Sequence, residues 1–371
     1  MVFPDGEDKP PRLKEESQQA SALNDLAGAC ALAGQPRRAV PLLEQDIAIS
    51  EKIGDKKNTA IPLGNVATQQ LVIGELAAAE RNLRRRIEIC GEIKDELHEA
   101  IGHQNLGCVL AYRGEFAEAE RELAISMAYC QKTNDAQRLS LDWAYRALRA
   151  LLMGNPSAAL SAARKAREFA DETARDPGFV YPIRDFVVAE WLIGAALTLT
   201  LTLSRRPNSP TGEGTFAEAE RHLQEALARD RKIGMIDIEA AILLEFAPLR
   251  FAQAKTADKN SGQPSAVSGR MAEAYDFAHE ALEIVERCEY RLQETEIHNS
   301  LAEWHVQQGI KGAEACPERS RREQGRKESL KKAREHAGRA KERAWCDGPP
   351  YHYKVAYERA EHLLKSLEEL Q

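Results

Sequence analysis

Two histidines, His298 and His305, stand seven residues apart, a spacing that can place both on one face of a helix. Imidazole nitrogens are good metal ligands, but no third ligand stands beside them at zinc-site spacing. They are therefore read as surface or packed side chains, and no metal is expected. The seven cysteines are an odd number and form no Cys-x-x-Cys pair. Cys90 and Cys130 recur forty residues apart, so they are read as small apolar groups, reduced and cytoplasmic. There is no Gly-rich phosphate loop of the GxxxxGK[ST] form and no HExxH helix. No catalytic residue, cofactor or enzyme activity is expected. Residues 318 to 343 hold eleven Lys or Arg, but five Glu alternate with them and no aromatic is interleaved. That pattern describes a solvated helix better than a base-stacking groove, and the net charge of -7 gives no general pull toward nucleic acid.

The residues that organise the chain are small ones. Ala27, Ala67, Gly107, Ala147, Gly194, Ala247 and Ala302 recur at intervals that begin at forty residues. A second series, Ala39, Ala79, Ala119, Ala159, Ala219, Ala274 and Ala333, follows each of them. Small side chains recur where two helices cross closely. A fixed period of this length denotes a stacked repeat. Seven helix pairs follow, each turning at a Gly such as Gly34, Gly74 or Gly114. In the second helices, Asp46 and Arg86 occupy one further small position, and they are expected to pair across the repeat interface. Asn58 or Thr59 is expected to cap the third helix.

Asn105-Leu106-Gly107, Gly114-Glu115-Phe116 and Ala119 resemble the tetratricopeptide repeat. The forty-residue spacing is similar to the kinesin-light-chain type and to bacterial repeat proteins. The resemblance implies an all-α, right-handed α-solenoid of about seven antiparallel helix pairs with a C-terminal capping helix. It implies a protein- or peptide-binding scaffold as the function. The alternative is the sensor arm of a STAND-type signalling NTPase, which needs a split or truncated gene because no NTPase motif is present. In such solenoids the first helices line the concave face. By register, that wall includes Asn24, Asn65, Gln104, Asn105, Tyr112, Tyr145 and Arg149. Asparagine amides both donate and accept, and so can grip an extended peptide. The heat-shock-type carboxylate clamp would fall at Asn24, Gly28, Asn65, Ile101 and Asn105, of which only Asn65 fits, and its lysines and arginine are missing.

The domain plan is a disordered leader at 1–11, a repeat domain at 12–346 and a capping helix within 347–371. Insertions near 198–212, 255–268 and 311–326 interrupt the same turn of repeats five, six and seven. Their Pro, Gly, Ser, Arg and Lys content cannot build a core, and it resembles translated bacterial repeat elements. They are expected to emerge on one face as passengers. Phe186 to Leu203 is eighteen residues long with Glu190 its one charge, close to the length of a membrane span. Its first half fits the repeat register, so no membrane partner is expected. The partner's identity and the oligomeric state are not encoded in any motif.

Overall fold

The computed structural model describes residues 2–4, 6–7, 9, 11–173, 181–203, 210–261, 264–315 and 319–370. They form fifteen α-helices, with no strand among them. Repeat one pairs α1 (Glu16–Leu32) with α2 (Pro36–Lys52), and repeat two pairs α3 (Lys56–Val72) with α4 (Leu76–Ile93). Repeat three is α5 (Glu96–Tyr112) and α6 (Phe116–Thr133), and repeat four is α7 (Ala136–Leu152) and α8 (Pro156–Thr173). Repeat five is α9 (Tyr181–Leu203) and α10 (Pro210–Ile233). Repeat six is α11 (Ile236–Ser261) and α12 (Pro264–Cys288). Repeat seven is α13 (Arg291–Ala315) and α14 (Arg319–Ala344), and α15 (Lys354–Glu369) follows alone. The chain is an all-α solenoid of seven helix pairs and a terminal helix.

All fourteen small positions are buried. A Cβ on Gly107 would lie 2.7 Å from Leu123 Cγ and 3.1 Å from the Ala119 carbonyl. The same side-chain clash recurs at Gly194, whose Cβ would lie 2.6 Å from Leu223. These contacts are the helix crossings that the small residues permit. Asp55, Asp95 and Asp135 each accept from the backbone amide three residues on, and so cap α3, α5 and α7 at the same place in the period. The cap of α3 is therefore Asp55 rather than Asn58 or Thr59. A carboxylate placed one residue before the helix reaches the free amide that side chains inside the first turn cannot.

Asp46 and Arg86 do not pair. Asp46 accepts from Ser50 at 3.1 Å, and Arg86 donates to the His98 carbonyl at 3.2 Å. Each solves its burial within its own neighbourhood. Arg86 can do so because Gly64 leaves room for its guanidinium, which occupies the space a Cβ there would fill.

The insertions lengthen helices. The first eight helices have 17 or 18 residues, and α9 to α14 have 23 to 26. The described parts of 198–212, 255–268 and 311–326 continue the helices that flank them. Residues 204–209, 262–263 and 316–318 lie outside the described residues. At the other end, Phe3 packs against the core of the first pair, and Glu7 forms an ion pair with Arg38.

The apolar helix α9 is a core element. Its 183–202 stretch is long and apolar enough to cross a membrane, yet most of it is buried inside the protein. Within it, Glu190 is fully buried and is met by Arg167 and by His222 Nδ1. Burial, then the charge of Arg221, pushes His222 down to about 4. The neutral ring therefore donates Nδ1–H to Glu190.

Candidate binding surface

The superhelix closes on itself. The turns inside repeats one, two and three meet the turns that follow repeats five, six and seven. At Gly34, a Cβ would lie 2.7 Å from Cys288 Sγ and 3.3 Å from Ile236. At Gly74 it would meet Arg291 and Cys346, and at Gly114 it would meet Lys354. All three glycines have φ between 71° and 77° or at 82°, where a side chain is already disfavoured. Glycine is thus doubly required at this seam. Arg37 pairs with Glu289 across it. Asp347 accepts from the Ala77 amide at 2.9 Å, capping α4 from 270 residues away. Arg113 donates to the Pro350 carbonyl at 3.1 Å, lies 4.5 Å over the Tyr351 ring and pairs with Glu80. Leu76, Leu292, Ala344, Tyr353 and Ala356 form one apolar cluster there, with Leu71, Tyr112 and Leu152 against it.

The second coil touches the first through the turns between its repeats.

The concave wall is expected along the first helix of each pair. Of the residues expected on it, Asn24 and Asn65 meet, with Asn65 Nδ2 donating to Asn24 Oδ1 at 3.0 Å across the first repeat interface. Asn24 also lines a cleft of about 150 Å³ with Asp46, Ser50 and Asn58. Burial pushes the Asp46 carboxyl up to about 6, against the opposing Ser50 bond. Gln104 is inside the protein, where it donates to Asp142 at 2.8 Å and to the Arg138 carbonyl at 3.3 Å. It joins α5 to α7. Asn105 is half-buried, and its amide has no hydrogen-bond partner among the described residues. Arg149 donates to the Phe116 carbonyl at 2.8 Å and stands 3.3 Å from Glu120.

Tyr112 packs edge-on against Tyr353, with ring centroids 5.1 Å apart. It therefore belongs to the seam as much as to the wall. Tyr353 donates its hydroxyl to Glu296, which also meets Arg359 at 3.0 Å, and Arg359 meets Glu303 at 2.7 Å. Tyr145 is half-buried, and its hydroxyl has no partner among the described residues. Burial raises the pKa of both Tyr112 and Tyr145, so both remain neutral donors. Glu245 on α11 also has no hydrogen-bond partner among the described residues, and burial with neighbouring Glu296 pushes it up to about 7. Sequence reasoning missed Glu245, Glu296, Glu303 and Arg359, because the wall was drawn from repeats one to four.

Burial pushes the Cys108 thiol up to about 12, and Cys130 likewise, far from the thiolate a nucleophile requires. One group has metal-ligand character: Glu286, Glu294 and His298 come together beside the turn between α12 and α13.

The described residues define an all-α solenoid of stacked helix pairs. No protein-family model matches the chain, and no curated protein matches it. Among solved structures it is similar to a Rap protein complexed with Competence and Sporulation Factor, at 12% identity over 96% of this chain and 100% of that one, with a TM-score of 0.48. It is also similar to yeast Tom70, at 12% identity over 96% and 86% of the two chains, with a TM-score of 0.27. A third is the TPR domain of P58(IPK), at 17% identity over 94% and 98%, with a TM-score of 0.23. The fold assignment rests on the chain's own helices, not on these likenesses.

Proposed function

We propose that the chain is a non-catalytic scaffold that binds a protein or peptide segment along its concave wall. The observation that supports this reading is the set of polar groups on the wall that no neighbour satisfies. The Asn105 amide and the Tyr145 hydroxyl have no hydrogen-bond partner among the described residues. Asn65, whose amide meets only Asn24, stands exposed beside them. These groups supply donors and acceptors at the one-repeat spacing that an extended backbone can use. Tyrosine adds apolar contact at low entropic cost. A short peptide held this way binds with a Kd of about micromolar, roughly 8 kcal/mol. The repeats are read as the forty-residue kinesin-light-chain-like type, of bacterial origin. The buried free thiols Cys30, Cys90, Cys108 and Cys130 support a cytoplasmic location.

The test pans a random peptide display library on the intact protein. Selected peptides are then measured against an Asn65→Ala, Asn105→Ala, Tyr145→Ala variant. Tyr112 is left in place, because its loss would disturb the seam. Circular dichroism controls for folding. The reading expects at least tenfold weaker binding, about 1.4 kcal/mol or more. Full-strength binding by the folded variant would overturn it.

A further inference from the structure

The meeting of α12 with α13 carries a chemistry that the scaffold does not require. Glu286 lies in the last turn of α12, Glu294 in the first turn of α13, and His298 one turn later. One donor atom from each lies within 4.8 Å of the other two. His298 is fully buried, and its Nε2 has no hydrogen-bond partner. That nitrogen stands 3.8 Å from a Glu294 oxygen, beyond hydrogen-bond length.

The other face of the ring decides which tautomer is present. His298 Nδ1 lies 3.0 Å from His336 Nδ1, so one of them carries the shared proton. Were His336 the donor, the proton on His298 Nε2 would be buried and unbonded. With His298 as the donor, its Nε2 lone pair faces carboxylate, an arrangement that a cation between them makes favourable. Metal-binding histidines commonly donate their second nitrogen to a neighbour in just this way.

We propose that Glu286, Glu294 and His298 bind a divalent transition-metal ion, with zinc the best match to one imidazole and two carboxylates. Imidazole selects against magnesium and calcium, and mixed nitrogen and oxygen donors suit zinc. Bond lengths of about 2.0 to 2.2 Å place tetrahedral donors roughly 3.4 Å apart. The 3.8 Å separation of His298 and Glu294 is close to that. Glu286 is exposed and has no partner among the described residues, so its side chain is free to complete the triangle. Solvent supplies the fourth position. Arg343 Nε donates to Glu294 Oε1 at 2.8 Å, the same oxygen that faces His298, and would hold that carboxylate in place for the ion. The ion would tie α12 to α13 beside Glu289 and Arg291, which rest on the first coil.

The test uses the full chain without a histidine tag, treated with chelator and dialysed against zinc. Metal analysis should find about one zinc per chain, and the melting temperature should rise with free zinc, as mass action requires. Glu286→Gln removes an exposed ligand without touching the core. It should weaken zinc binding by about tenfold or more and abolish the rise. Glu283→Gln, an exposed neighbour on α12, should leave both unchanged. No zinc retained at about 100 μM, where an affinity near 1 μM would give about 2.7 kcal/mol of stabilisation, would overturn the proposal. Equal binding by Glu286→Gln and the unaltered chain would overturn it as well.

Discussion

Replacing Asp230 with alanine should stabilise the protein, and by an amount that depends on pH. Asp230 lies in α10 and is fully buried, and neither carboxylate oxygen has a hydrogen-bond partner. The same register position is Ser50, Cys90, Cys130, Ala170, Val285 and Ala344 in the other repeats, all buried. Asp230 is thus a carboxylate where the repeat calls for a small neutral group. Burial, with Asp237 and Glu239 nearby, pushes it up to about 7, and Arg231 opposes this. Arg231 is itself engaged by Glu239 at 2.7 Å and Glu280 at 2.8 Å. An unfolded aspartate titrates near 3.9, so the shift is about three units, on the order of 4 kcal/mol. The sign follows from proton binding. Between pH 4 and 7 the folded chain keeps this proton and the unfolded chain releases it, so stability falls as pH rises. The burden is roughly 0.5 kcal/mol at pH 4, about 1.5 at pH 5 and about 4 at pH 8. Alanine removes it and adds helix propensity of about 0.5 kcal/mol, the same at every pH. Urea titrations of Asp230→Ala and the unaltered chain at pH 5 and pH 8 provide the comparison. The gain should be larger at pH 8 by about 2 to 3 kcal/mol. An equal gain at both values would refute the reasoning, and so would a loss at pH 8.

Further outcomes follow from other contacts. Gly64→Ala would place a Cβ 1.5 Å from Arg86 Nη1, and Arg86 is 4% exposed, so the guanidinium must move. The expected loss is about 1 to 3 kcal/mol by urea midpoint, while Gly91→Ala, with nothing nearer than 3.7 Å, should not destabilise. Arg113→Ala removes the Pro350 bond, the stacking on Tyr351 and one partner of Glu80, at a cost of about 3 kcal/mol. Hydrogen exchange should then quicken at 345–353 and at the Ala77 amide. The His222 ring, pushed down to about 4, should titrate far below a free histidine when followed by NMR. Its depressed value adds stability above about 6.5 that is lost as pH falls through about 4, opposite in sign to Asp230.

The repeat was legible because its constraints are local and recur. Ala119 and Leu123 face Gly107 for the same steric reason that Ala79 and Leu83 face Ala67, and each instance confirms the others. The wall was only partly legible. Register places Gln104 on a first helix, but whether its amide meets solvent or Asp142 depends on how α5 and α7 cross. Asp46 and Arg86 show the same limit. Opposite charges at one register position suggest a pair, yet Ser50 and the His98 carbonyl are nearer partners.

By itself, the sequence determined the helix pairs, their count and their small-residue crossings. Those features depend on spacings of a few residues, where helical geometry leaves few choices. Only the tertiary structure decided that the solenoid closes coil on coil. Closure depends on the small rotation between neighbouring repeats, summed over repeats one to seven. No single residue pair announces that sum. It brings Arg37 to Glu289 and Asp347 to the Ala77 amide across more than half the chain. It sets Tyr112 edge-on against Tyr353 rather than in an open groove.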